Sequence, residues 1–306
     1  MDVMYQTFLA ILETFIAFGI GAYMTHRKMI DQQGIAQLSN VTLDVLFPLM
    51  TIGSITRNFQ ADQLLDLWVL PAMGFGIMAM GMGFGKLLSR FMRYSTRERK
   101  AMFQHFCTCN NYLFLPLIVL DNLWGDKYVS LLLLMNIGST IGFWTVGIAA
   151  FGGTTARETI RNIFSVNLYA VVLALTLVAF SIPLPGVLAK VCSTMGNAAV
   201  PLVLIGIGAA IYNSAGRFGR HLTDAFYLGL VRLIILPLIL IMIFKMMPLE
   251  VEVFRVLAVV ALMPVSSSSV LVARRYGGDM DMASQAIIIT TLLSIVTAPL
   301  MLKILL

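Results

Sequence analysis

The sequence predicts an all-α integral membrane protein of ten transmembrane helices, arranged as two inverted five-helix repeats. Two observations predict it. Of 306 residues, 59% are hydrophobic and only 12% are charged, where a soluble domain carries about 25% charged residues. So few charges cannot cover a water-facing surface, which excludes a soluble enzyme, a disordered chain and a disulfide-stapled secreted domain. The second observation is a spacing. Pro48, Leu49, Ile52 and Gly53 recur as Pro201, Leu202, Ile205 and Gly206, and Gly125-Asp126 recurs as Gly278-Asp279, all 153 positions apart.

Spanning a hydrocarbon core takes roughly 20 apolar residues per helix. The hydropathy pattern places spans at 4–25, 35–56, 65–89, 102–120, 128–151, 164–182, 190–212, 222–246, 254–273 and 282–305. The connections left over are too short to hold a soluble domain. The opening Met1-Asp2-Val3-Met4 has no basic n-region, so no removable signal peptide is expected. Cys107, Cys109 and Cys192 all lie in apolar stretches, as inert buried thiols do, and no metal site or other cofactor is expected.

Charge sets the expected orientation. The odd-numbered loops hold Arg27, Lys28, Arg90, Arg93, Arg97, Arg99, Lys100, Arg157, Arg161, Arg217, Arg220, Arg274 and Arg275, while the even ones hold Arg57, Lys127, Lys190 and Lys245. Short loops rich in Lys and Arg stay in the cytoplasm, which places both termini outside a cytoplasmic membrane. The net charge of +6 is therefore a topology signal, and no nucleic-acid partner is expected.

The 153-residue spacing divides the chain into 1–153 and 154–306. Five spans per half is an odd number, so the second half enters the membrane inverted, the plan of many secondary transporters. The sixth span starts several residues late on this spacing, which puts an insertion at 152–163. In such carriers the substrate sits near the midplane, where Gly- or Pro-interrupted helices leave backbone groups free. The fourth span contains Asn110, Asn111 and Pro116, and the ninth contains Pro264 followed by Ser266, Ser267, Ser268 and Ser269. On the repeat, Asn111 falls opposite Pro264 and Pro116 opposite Ser269. A proline inside a helix removes one hydrogen bond and clashes with the preceding turn, freeing carbonyls for side chains or a polar ligand. Pro48 and Pro201 form a second matched pair that kinks helices or lines the site. Asn136 and Thr140, one turn apart in the fifth span, are placed to line the same cavity.

Ionisable residues within spans are functional hypotheses by default. Asp44, a turn before Pro48, and Glu13 are the proton-carrier candidates, because a carboxylate held in lipid favours its neutral form. Arg232 is placed to neutralise a buried acid or meet an anionic substrate. His105 is read as structural, close to the membrane edge.

Several stretches resemble the auxin efflux carrier family, including its bacterial malate- or malonate-type permease members. They are Leu46-Phe47-Pro48 through Arg57, Asn110-Asn111 through Pro116-Leu117 and on to Leu123-Trp124-Gly125-Asp126, Arg232 through Pro237, and Ala261-Leu262-Met263-Pro264 through Arg274-Arg275-Tyr276. The likeness covers essentially the whole chain. It implies broken helices 4 and 9 that cross at prolines, a scaffold part and a transport part, an often homodimeric organisation, and carriage of small organic anions. Cys109 stands where the family pattern aligns an Asn, and Phe114 replaces a glycine, which leaves less room beside the crossing.

The function expected is secondary transport of small carboxylates by alternating access. The alternative is a sodium-coupled symporter of bile-acid-type architecture, with Asn110, Asn111, Ser266 and Gln285 near the ion. An intramembrane protease would need paired aspartates or a Gly-flanked serine with a histidine, and an ATPase a Gly-rich loop ending in Lys-Ser/Thr. Neither pattern occurs, so no enzyme is expected.

Overall fold

The computed structural model describes residues 3–214, 222–267 and 269–305; Arg217, Arg220 and Ser268 lie outside them. Helices make up 82% of the structure, with no strand among the described residues. In chain order they are α1 (Val3–His26), α2 (Gln32–Asn58), α3 (Val69–Phe91), α4 (Arg97–Thr108), α5 (Phe114–Trp124), α6 (Asp126–Gly147), α7 (Ala156–Ile163), α8 (Val166–Ala179), α9 (Gly186–Asn213), α10 (Leu222–Lys245), α11 (Val251–Ala261), α12 (Ser269–Tyr276) and α13 (Met280–Leu305). Six of these, α2, α3, α6, α9, α10 and α13, are long and apolar enough to cross a membrane.

The remaining expected spans differ in detail. The stretch expected at 164–182 is α8, preceded by the short α7 at a bend of 53°. The bend has a local cause: Thr155 caps α7 through Glu158 N–H, and Ser165 caps α8 through Leu168 N–H. Two N-caps ten residues apart start two helices where hydropathy alone reads one. The expected fourth and ninth spans are each a pair of short helices, α4 with α5 and α11 with α12, separated by irregular backbone at 109–113 and, among the described residues, 262–267.

Prolines shape the long helices as well. Thr42–Leu46 in α2 and Val231–Ile235 in α10 are π-helical, and they lead into Pro48 and Pro237. Proline has no N–H and its ring presses on the carbonyl four residues back; a wider π turn there relieves both faults. In α9 the matching device is a turn at Asn197 and Ala198, just before Pro201.

The helices pack as two groups. α1 and α9 pack together, as do α2 with α8 and α2 with the start of α9; α3, α4, α6, α10, α11 and α13 surround the two irregular segments, and α1 also touches α5 and α13. Small residues set the closest approaches, as is usual where apolar burial cannot drive helix association. A Cβ on Gly138 of α6 would overlap the carbonyl of Pro71 on α3, while Gly21 of α1 and Gly208 of α9 meet the carbonyls of Ile205 and Phe18 reciprocally.

The repeated Gly-Asp pairs lie at the starts of α6 and α13. Gly125 turns the chain with φ +83, whereas in the second half Gly277 carries the positive φ and Gly278 packs against Met102 and Phe151. The ends of the broken helices are tied to these starts by ion pairs. Arg99 of α4 reaches Asp279 at 3.5 Å and also Asp224 at 3.4 Å, and Glu252 of α11 meets Lys127 at 2.8 Å. Arg99 and Glu252 are 153 apart and their partners Asp279 and Lys127 are 152 apart, so each half ties its broken helix to the facing helix start, with the signs exchanged.

Gly138→Ala is expected to lower the thermal unfolding midpoint in detergent, because overpacking costs about 1–3 kcal/mol. Gly76→Ala, whose Cβ meets nothing within 4 Å, should be neutral or slightly stabilising. Equal midpoints for the two variants would remove the close α3–α6 approach as a determinant of the fold.

Candidate functional site

Where α4 and α11 stop, the chain becomes irregular and the two segments meet. Asn110 and Val265 form an antiparallel bridge, and Asn111 N–H donates to the Pro264 carbonyl at 2.7 Å. Asn111 and Pro264 are the two residues that the 153-residue spacing matches. The reciprocal bond would need an N–H on residue 264, which proline lacks, so this pair is held by one bond and not two.

Each sequence-nominated polar residue here has a definite position. Asn110 is fully buried; its Nδ2 donates to the Val260 carbonyl, and its Oδ1 has no partner among the described residues. Asn111 is half-buried, and its Oδ1 accepts the Leu115 N–H at 3.3 Å, capping α5. Pro116 is buried as the third residue of α5. Its missing N–H is one that a first turn leaves unbonded in any case, so Pro116 helps start the second helix. The interruption itself lies upstream, at 109–113.

Ser266 and Ser267 are half-buried. Ser269 is buried at the start of α12 and bonds His105 Nε2 at 3.0 Å, while His105 Nδ1 lies 2.8 Å from the Gly147 carbonyl. A carbonyl only accepts, so Nδ1 carries the proton and Nε2 accepts the Ser269 hydroxyl. His105, expected close to the membrane edge, instead lies at 0% exposure deep in the packing. Val265 N–H donates to Thr290 Oγ1 of α13 at 3.3 Å, a support that no sequence motif signals.

Arg232 is 1% exposed. Its guanidinium donates to three backbone carbonyls: Nη1 to Cys107 at 3.3 Å, Nη2 to Ala261 at 3.0 Å and Nε to Met263 at 3.2 Å. The first lies at the C-terminal end of α4 and the other two at that of α11. Among the described residues no carboxylate pairs with it. Its counter-charge is the carbonyl ends of two helices, each equivalent to about half a negative charge.

Other nominated residues lie elsewhere. Asn136 and Thr140 share a water-sized cavity of about 20 Å³ with Ser165 and Asn167, between α6 and α7–α8 and apart from the crossing segments. Pro48 is buried and Pro201 exposed, and neither lines a described cavity. Asp44 and Glu13 are both exposed on outer helix faces.

A larger cavity of about 330 Å³ lies between α2 and α9 on one side and α5 and α6 on the other. Its polar lining includes Ser54, Arg57, Asp121, Asn122, Asp126 and Asn197. Asp126 accepts from Ser54 at 3.0 Å, from Arg57 at 2.7 and 3.1 Å, and from Asn58. The Arg57 and Asp126 side chains are 54% and 38% exposed, which puts them at the rim. Sequence reading singled out Gly125-Asp126 as a repeat and Arg57 as a loop cation, but had no signal that the two meet.

A family model described as membrane transport protein matches residues 6–167 and 156–302. An uncharacterized transporter of Methanothermobacter thermautotrophicus is 28% identical over 191 residues, which cover 61% of this chain and 62% of that protein. The chain thus aligns with less than two thirds of that relative's length.

Arg232→Met should be strongly destabilising, since each buried carbonyl left without a donor costs about 1–3 kcal/mol. Arg232→Lys keeps the charge but not the planar fork, and should recover part of the loss. Thermal unfolding of purified protein checks this; a methionine variant as stable as the parent would show that the three carbonyls do not depend on Arg232.

Proposed function

The chain belongs to the membrane transport protein family of the auxin efflux carrier type, and from that premise we propose that it is a secondary transporter of small organic anions. It works by alternating access across the cytoplasmic membrane, with the anion held where the two broken helices cross. The observation that carries this reading is the Asn111–Pro264 contact: residues matched by the repeat hydrogen-bond directly to each other at 2.7 Å. A contact between equivalent positions is what a two-fold relation between halves produces, since only equivalent positions can meet on its axis. The α4–α5 and α11–α12 pairs then each serve as one broken span, giving ten spans in two inverted halves, with odd loops in the cytoplasm and both termini outside.

The chemistry at the crossing suits a carboxylate. α5 and α12 both begin there, and a helix start carries roughly half a positive charge with N–H groups available to an anion. Arg232 lies beside it with its charge offset by the carbonyl ends of α4 and α11, so no carboxylate that would repel an anion is needed there. Asn111 and the half-buried Ser266 and Ser267 supply neutral hydrogen-bonding groups. The 330 Å³ cavity is large enough for a small carboxylate and runs along α5, the helix that starts at the crossing.

Alternating access requires the two helix groups to shift against each other. The cavity lies between α2–α9 and α5–α6, so its closure is the motion that the reading calls for, and the Arg57–Asp126 pair bridges that seam.

Counterflow of labelled malonate and malate in proteoliposomes tests the reading. Asn111→Ala combined with Pro264→Ala is expected to reduce counterflow at least about tenfold, equivalent to about 1.4 kcal/mol, at unchanged protein content. Undiminished transport by a correctly inserted double variant would remove the crossing as the site. For topology, Arg97→Cys should resist a membrane-impermeant maleimide added outside intact cells and react after permeabilisation; labelling from outside would reverse the orientation.

A further inference from the structure

The 330 Å³ cavity carries a charge imbalance that passage of an anion alone does not account for. Its charged lining is one guanidinium, Arg57, and two carboxylates, Asp121 and Asp126. Arg57 places both of its hydrogen bonds on Asp126, which also accepts from Ser54 and Asn58, so that pair is neutral and fully engaged. Asp121 is different. No side-chain hydrogen bond or ion pair reaches it among the described residues, and it lies in the last turn of α5, where the carbonyl end of the helix adds negative potential. Asp121 is itself exposed, at the mouth of the cavity, and the cavity's charged side chains sum to one negative charge, which disfavours a bare anion.

We propose that Asp121 takes up one small cation, a proton or a sodium ion, together with the anion, and so acts as the coupling residue of the carrier. This rests on the reading of the chain as an anion carrier. The placement explains how one helix serves both ions. α5 starts at the crossing, capped there by Asn111, and ends beside Asp121; its eleven residues span about 16 Å at 1.5 Å per residue. A shift of α5 therefore moves the anion end and the cation end as one body.

The one cation lining the cavity with Asp121 places its hydrogen bonds on Asp126. Arg57 faces it from α2, Asp126 from the start of α6 and the Cys192 thiol from α9. From α11, Arg255 lies over the Trp124 ring at 5.2 Å and bonds the Tyr128 hydroxyl, while Glu252 holds Lys127. α1, also packed on α5, carries Glu13 on an exposed face, with His26 bonded to Tyr212. Asp44 and Glu13, nominated from sequence as proton carriers, line neither described cavity.

Wild type, Asp121→Asn, Asp121→Glu and Asp44→Asn are compared in proteoliposomes for uptake of labelled malonate under an imposed pH or sodium gradient, and for counterflow without one. Wild type should accumulate malonate about tenfold per tenfold cation gradient, and whichever gradient drives it identifies the ion. Asp121→Asn should keep counterflow and lose accumulation, Asp121→Glu should keep both, and Asp44→Asn should match wild type. Accumulation by Asp121→Asn equal to wild type, or a wild type indifferent to both gradients, overturns the proposal while leaving the carrier reading intact. If wild type shows no counterflow of malonate or malate, the carrier reading is what fails. Binding of ²²Na⁺ and proton uptake by the purified protein then decide Asp121 alone: one cation more in wild type than in Asp121→Asn supports it, and equal uptake overturns it.

Discussion

A helix that ends inside lipid leaves up to four carbonyls with nothing to bond, and lipid offers no donor. In this protein α4 stops near Cys107 and α11 near Ala261, and both ends converge on one buried guanidinium. Arg232 answers three of those carbonyls at once. It also settles an electrostatic problem in both directions. A buried arginine without a carboxylate is costly on its own, and two helix C-termini without a cation are too. Together they are close to neutral, because two half-charges of about −0.5 meet one charge of +1. No acid is needed beside Arg232, which leaves the region with positive helix starts and no permanent anion.

Much of the remaining architecture serves that junction. Arg232 sits in a π-helical turn of α10 that leads into Pro237, so the proline that widens the helix also sets where the guanidinium projects. His105 ties the last turn of α4 to Ser269 of α12 and to the end of α6, and Thr290 of α13 holds the Val265 backbone. Around them, glycines such as Gly138 let backbones approach to carbonyl contact. The irregular segments are thus enclosed by rigid helices, the only setting in which unpaired backbone is tolerated at membrane depth.

Polarity is distributed according to the same rule. The two helix groups meet around a cavity whose charged residues come from both, Arg57 from one group and Asp121 and Asp126 from the other. Charges that join elements within a group, such as Arg99 with Asp224 and Asp279, are internal braces. Arg57 and Asp126 instead join the two groups across the seam between them.

The sequence by itself determined that this chain is a multi-pass membrane protein, and its 153-residue spacing pairs Asn111 with Pro264, two residues that do meet. Those properties are local or additive: charge content, hydropathy over a window, and spacing survive in one dimension. The Asn111–Pro264 pairing was legible for that reason. What tertiary structure decided was which groups meet from different helices. Arg232 reads as a lone charge in its span, and only three-dimensional proximity to two helix ends reveals its partners, because backbone carbonyls carry no sequence signal. Asp44 and Glu13 looked interior by depth along a helix, but depth does not specify face, and both point outward. Asp121 passed unnoticed near the end of a span, since only the approach of α2 and α9 to α5 makes a cavity of that place.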